Sequence, residues 1–199
     1  IGPEGERFFT VELGADWTQR LGELDVRDIR AFSAMLQLHR ELCRGNSDGF
    51  AVESLTAELL GHTMARKTPT ERRKPRWLER VVEYLEACYA DSLRVGSLAR
   101  EAGVHPVHLA RVFRQFYRCS MAEYQTAARV RRACVLLGES DLTLAQIALW
   151  TGFADQSHFT RAFTALAGGP PGAFRRTVFT PSAVPHSAPR VSRSARAHT

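Results

Sequence analysis

Two arginines, Arg111 and Arg161, stand 50 residues apart in segments that otherwise read alike. A guanidinium carries five donors in a rigid fork, which fits a carboxylate, a phosphate, or the O6 and N7 acceptors on the major-groove edge of guanine. The neighbours of each arginine select among these. Projected at about 100° per residue, Leu109, Val112, Phe113 and Phe116 form one stripe of a helix whose opposite face carries Val107, Arg111 and Arg114. In the second segment Phe159, Ala162, Phe163 and Leu166 form the stripe, and Ser157, Arg161 and Thr164 stand opposite. A short face of small or apolar residues centred on one arginine is shaped to enter a DNA major groove, where an apolar side chain also meets a thymine methyl. One such face is equally what a solvated helix with chance arginines presents; two in the same register favour groove entry. The candidate DNA-facing set is His105, Val107, His108, Arg111 and Arg114 in the first segment, and Asp155, Gln156, Ser157, Thr160 and Arg161 in the second.

Competing chemistries are weaker. His105 and His108 are three apart, as metal ligands can be, but no third Cys or carboxylate converges on them in sequence, so phosphate contact is the better use for them and no metal or cofactor is expected. Asp155, Ser157 and His158 invite a hydrolase reading, yet triad members come from separate elements and no nucleophile elbow is visible. An enzyme is not expected.

Both arginine faces lie in a repeated unit. "VGSLAREAGV" (95–104) aligns with "LAQIALWTGF" (144–153) at a shift of 49, and "HLARVF" (108–113) with "HFTRAF" (158–163) at a shift of 50. Helix, glycine turn, second helix, stated twice, is the pattern of two helix-turn-helix units. Ala99 and Ala148 let the paired helices approach closely, and Gly103 and Gly152 can take the positive φ of a sharp turn. Thr143 and Gln146 form a capping box, whereas the matching Arg94 and Ser97 do not, so the first unit is expected to be less firmly held. A connecting helix from about 120 to 137 is expected between the units, with Arg129, Arg131 and Arg132 available to brace phosphates.

The rest of the chain is read by composition. Lys plus Arg outnumber Asp plus Glu by 27 to 21 and the isoelectric point is about 9.6, a balance that favours a polyanionic partner. Four scattered cysteines without a C-x-x-C motif suit buried free thiols. With no apolar run of membrane-spanning length and no leader in the sequence, the expected location is cytoplasmic. The start at Ile1 suggests a processed or cropped product. Residues 1–24 carry one β-like run (Phe8, Phe9, Val11, Leu13), read as the last strand of an otherwise absent domain. Apolar residues at helical spacing (Val26, Ile29, Phe32, Met35, Leu36, Leu42, then Leu55, Leu59, Leu60, Met64) predict a helical hairpin across "GNSDG". That hairpin exposes an apolar stripe unless it pairs with a second copy or packs on the repeated units. Residues 66–76, with two prolines, six basic residues and one acid, read as a solvated linker; helical pattern then runs to about 176, broken at Gly103, Gly138, Gly152 and Gly168. Trp77, Trp150 and Phe153 are expected in the core. The tail from 177 to 199, with three prolines, three arginines and no acid, is expected to be disordered.

The stretch from "LAREAGV" to "GAFR" resembles the DNA-binding domain of the AraC/XylS family of transcription regulators over about half the chain. The family pattern I-A-x-x-x-G-F-x-D-x-S-x-F-x-R-x-F is met by Ile147, Ala148, Gly152, Phe153, Asp155, Ser157, Phe159, Arg161 and Phe163, and its later G-x-x-P-x-x-F/Y-R by Gly168, Pro171, Phe174 and Arg175. The resemblance implies an all-α fold of two helix-turn-helix units joined by a long helix and binding successive major grooves. It makes residues 1–66 the end of a sensor or dimerisation domain, 67–76 a linker and 77–176 the DNA-binding domain. It also implies double-stranded DNA and RNA polymerase as partners, an effector only where the sensor is intact, and a possible homodimer. Two positions depart from the pattern: Arg118 stands where the family has Gly after the first recognition helix, and Thr164 where it has Lys. The rival from another class is a helical adaptor whose arginine faces bind an acidic protein; salt dependence and base preference separate the two.

Overall fold

The structure is a computed structural model that describes residues 27–44, 46, 48–65 and 74–178. Among these the chain is entirely helical: α1 (Ile29–Leu42), α2 (Gly49–Ala65), α3 (Arg76–Ala87), α4 (Val95–Glu101), α5 (Pro106–Tyr117), α6 (Met121–Glu139), α7 (Leu144–Trp150), α8 (Gln156–Ala167) and α9 (Pro171–Val178). The proposed remnant strand, most of the linker and nearly all of the tail lie outside the described residues. No described helix is long and apolar enough to cross a membrane.

Two apolar cores form, and α6 belongs to both. Met121 and Tyr124 at its start join Leu78, Val82 and Leu85 of α3 and Leu109 and Phe113 of α5. Val130, Ala133, Cys134 and Leu137 further along join Ile147, Phe159, Phe163 and Phe174. One helix can serve two cores because its N- and C-terminal halves bury different turns, with Ala127 and Ala128 between them. Ala99 and Ala148 are wholly buried, as the close approach of paired helices requires.

The helical hairpin packs within the chain. Phe32, Met35, Leu36 and Leu38 of α1 and Leu59 of α2 lie in the second unit's core. Each such burial is worth about 1.5–3 kcal/mol against about 1 kcal/mol for a net hydrogen bond, so apolar contact holds α1 in place and the polar contacts set its register. Asp28 starts the helix, its Oδ1 accepting from the N–H of Arg30 at 2.9 Å.

Several expectations are corrected. The connecting helix does not stop at Gly138: it runs to Glu139, because a Gly tolerated inside a helix breaks it only when something else does, and Ser140 is extended. Its start is fixed by a reciprocal box of Ser120 and Glu123. Lys74 and Pro75 are not solvated linker; Lys74 Nζ donates to Tyr117 Oη at 3.0 Å and lies over the Tyr117 ring. Thr177 and Val178 complete α9. Leu42 is half exposed, since the helix ends there, and Trp150 is also exposed, its place on α7 facing away from the core that Phe153 enters. Of the cysteines only Cys134 is fully buried, while Cys43 is exposed.

Candidate nucleic-acid interface

α5 and α8 present equivalent faces. Leu109, Phe113, Phe159 and Phe163 are wholly buried, whereas Val107, Arg111, Arg114, Ser157, Arg161 and Thr164 are exposed on the opposite sides. Val107 is 69% exposed, a large apolar side chain held in water at the start of α5 where a DNA-reading helix meets base edges. Gln156 is exposed on the first turn of α8 and Thr160 is half buried beside it.

Not every candidate is free for a partner. His105 is the N-cap of α5, its Nδ1 accepting from the Val107 N–H at 3.3 Å, with Pro106 fixing the first turn. Asp155 is the N-cap of α8, Oδ1 accepting from the His158 N–H at 2.7 Å. That bond uses the carboxylate to start the helix. The His108 ring lies tilted beside Trp77, 5.9 Å between ring centroids, and its Nδ1 lies 3.3 Å from Arg111 Nη2, a contact that steadies the arginine. Neither His105 nor His108 joins a metal-binding cluster among the described residues.

Two of the three connector arginines are structural. Arg129 donates from Nε to the Tyr89 carbonyl at 2.7 Å and from Nη2 to that of Asp91 at 2.9 Å, and lies over the Phe153 ring. Arg131 meets Glu86 at 2.6 Å, where Glu86 also accepts from Tyr124 Oη. Of the three Arg132 alone is exposed, so it is the one left to the expectation that some of them brace phosphates. For Arg129 the cause is the loop of residues 88–94, whose carbonyls need donors and find them on α6; for Arg131 it is the Glu86 carboxylate of α3.

The two units differ in how firmly their helices are held. α7 has the Thr143 and Gln146 box, both reciprocal bonds formed, while α4 starts at Arg94 with no side-chain cap. At the far end of α8, Gly168 takes φ +68°; at the equivalent end of α5 Arg118 is forced to φ +59°, where an L side chain is strained. α1 touches the first unit's core only through Ile29, and its side-chain hydrogen bonds to a recognition helix go to the second unit. Ser33 Oγ donates to the Leu166 carbonyl at 2.7 Å, Gln37 Nε2 to the same oxygen at 3.3 Å, and Arg40 Nη1 to the Gly168 carbonyl. The last turn of a helix has carbonyls without intrahelical donors, and here side chains one turn apart on α1 supply them. Sequence reading missed this clasp, since nothing local to Ser33, Gln37 or Arg40 points to residues 128 to 133 positions away.

Comparison with known proteins agrees with this geometry. Residues 98–177 match a helix-turn-helix domain family. The chain is 32% identical over 100 residues to a probable transcription factor, PqrA, of Proteus vulgaris, covering 50% of this chain and 78% of that protein. It is 38% identical over 96 residues to the HTH-type transcriptional regulator GlxA of Rhizobium meliloti (strain 1021), covering 48% of this chain but only 30% of that protein. The C-terminal domain of AraT, a response regulator from Geobacillus stearothermophilus, superposes with a TM-score of 0.52 at 27% identity, covering 58% of this chain and 97% of that one.

Proposed function

The chain belongs to the AraC/XylS family of transcription regulators, and from that premise we propose that α5 and α8 are its two recognition helices, reading successive major grooves of double-stranded DNA. Val107, Arg111 and Arg114 form the reading face of α5; Gln156, Ser157, Thr160 and Arg161 form that of α8. His105 and Asp155 hold the helix starts, and His108 orients Arg111. The observation that carries this reading is the repetition: two exposed arginine-centred faces, each opposite an apolar stripe turned to the core, at equivalent places in two copies of one unit. α6, at 19 residues, is about 28 Å long at 1.5 Å per residue, which with the widths of the units suits the roughly 34 Å repeat of B-DNA.

The intact protein acts at promoters with RNA polymerase as a second partner, in the cytoplasm, by binding and not by catalysis. Homodimerisation through the apolar stripe of α1 is not part of the proposal, because that stripe is already buried within the chain.

Selection of bound sequences from random duplex DNA supplies the site. On it, Arg111→Ala and Arg161→Ala are each expected to cost about 1–3 kcal/mol and to flatten discrimination at one base pair. Equal losses on selected and random DNA would reduce both to phosphate contacts. Inserting five base pairs between the half-sites turns one groove to the far side and should lower affinity to that of one half-site; ten should not restore it, because a stiff helix cannot lengthen.

A further inference from the structure

A cleft opens along the seam where α1 lies against α8 and α9. Its volume, about 390 Å³, is in the range that holds a small organic molecule. Its walls are apolar: Leu36 from α1, Phe163 and Ala167 from α8, Ala173 and Phe174 from α9. Its rim is cationic, with Arg40 on α1, Arg44 just after it and Arg176 on α9, and no Asp or Glu among the described residues lines it. Arg44 is answered by Glu41 at 3.0 Å, and Arg40 holds the Gly168 carbonyl. Arg176 is exposed and meets no acid among the described residues. The Nε of Arg40 is buried with no hydrogen-bond partner among the described residues, an unpaired donor on a cation beside apolar walls.

These features select one ligand chemistry. A neutral apolar molecule leaves Arg176 unanswered, and a bare inorganic anion leaves the apolar surface of Ala173 and Phe174 wet. We propose that the cleft is a binding site for a small amphipathic monocarboxylate, its apolar body against Ala173 and Phe174 and its carboxylate toward Arg176 and Arg40. Arginine suits that end because its fork pairs with a carboxylate through two parallel bonds. A molecule seated there touches α1, α8 and α9 at once, so it stabilises the docked hairpin over an undocked one. The same α1 holds the end of the second reading helix through Ser33, Gln37 and Arg40, which puts the ligand next to the clasp.

The inference does not rest on the DNA reading, and its test contains no DNA. The whole chain is titrated calorimetrically with 3-phenylpropanoate, with its neutral amide and with inorganic phosphate, and thermal unfolding is followed over the same concentrations. The carboxylate is expected to bind at one site per chain and to raise Tm saturably, the amide to bind at least about tenfold more weakly, and phosphate to give no saturable shift. Arg176→Gln is expected to weaken the carboxylate about tenfold, and Ala173→Phe, which fills the cleft from α9, to abolish its binding. The unliganded Tm of each variant checks that it folds, and the exposed position of Arg176 keeps one variant usable if the other does not. Absence of carboxylate binding, an amide that binds as tightly, a phosphate shift of the same size, or wild-type binding by a folded variant would each overturn the proposal.

Discussion

Replacing Gly152 by Ala perturbs a turn and a contact together. A Cβ at that position would fall 2.4 Å from the Ala90 carbonyl oxygen and 2.5 Å from its Cα. Both atoms are backbone, so they cannot swing aside as a side-chain tip does. The residue also sits at φ +83°, where an L side chain costs about 1–2 kcal/mol. Gly103, its counterpart in the first unit, has φ +68° but nothing within 4 Å of an added Cβ. Gly103→Ala is therefore expected to lose the conformational term alone, about 1–2 kcal/mol. Gly152→Ala should lose that and about 1–3 kcal/mol more for overpacking, so the difference between the two variants isolates the contact between the second turn and the loop after α3. In a fold stable by about 5–15 kcal/mol the larger loss is serious but survivable. Urea unfolding followed by far-UV circular dichroism measures both variants at a common slope; in thermal unfolding each kcal/mol corresponds to about 2–4 °C for a chain of this size. If the two substitutions cost the same, the second turn does not bear on Ala90 and the reasoning fails; if neither costs anything, so does the argument from positive φ.

Arg118→Gly should act in the opposite sense, raising stability by about 1 kcal/mol, because it relieves the left-handed strain at the end of α5; an unchanged urea midpoint would refute this. Thr143→Ala should lower stability by about 0.5–2 kcal/mol by removing the cap of α7, whereas Arg94→Ala, at a start that has no side-chain cap, should leave the midpoint within about 0.5 kcal/mol. Burial pushes the Cys119 thiol up from 9.0 to about 11. The folded chain therefore holds that proton more tightly than the unfolded one, so the stability linked to it is present below about pH 9 and is lost as the pH rises toward 11; a series of urea midpoints should fall over that window in the wild type and less in Cys119→Ala. A thiol reagent at pH 8 should modify the exposed Cys43 first and the buried Cys134 last, read by peptide mass mapping.

The sequence by itself determined the repeated unit. Buried stripes such as Leu109 with Phe113 and Phe159 with Phe163 are legible because a helix brings residues three and four apart to one face, which is a property of the local backbone. The Thr143 box and the glycines of the two turns are legible for the same reason: cap and positive φ are set within a few residues. The Ser120 and Glu123 box carries an equally local signal, and its S-x-x-E spacing could have marked the start of α6. Tertiary structure alone decided where the hairpin goes and what the arginines of α6 do. Phe32 and Met35 announce an apolar face but not its partner, which is the core of the second unit. Arg129 and Arg131 look like phosphate contacts from their charge, yet the carbonyls of Tyr89 and Asp91 and the carboxylate of Glu86, some 38 to 45 residues away, claim them. Which unit is clasped and which is strained also follows from neighbours distant in the chain. Local spacing fixes a helix and its faces; the pairing of donors with acceptors across the molecule is fixed only when the cores bring them within about 3 Å, and no periodicity records it.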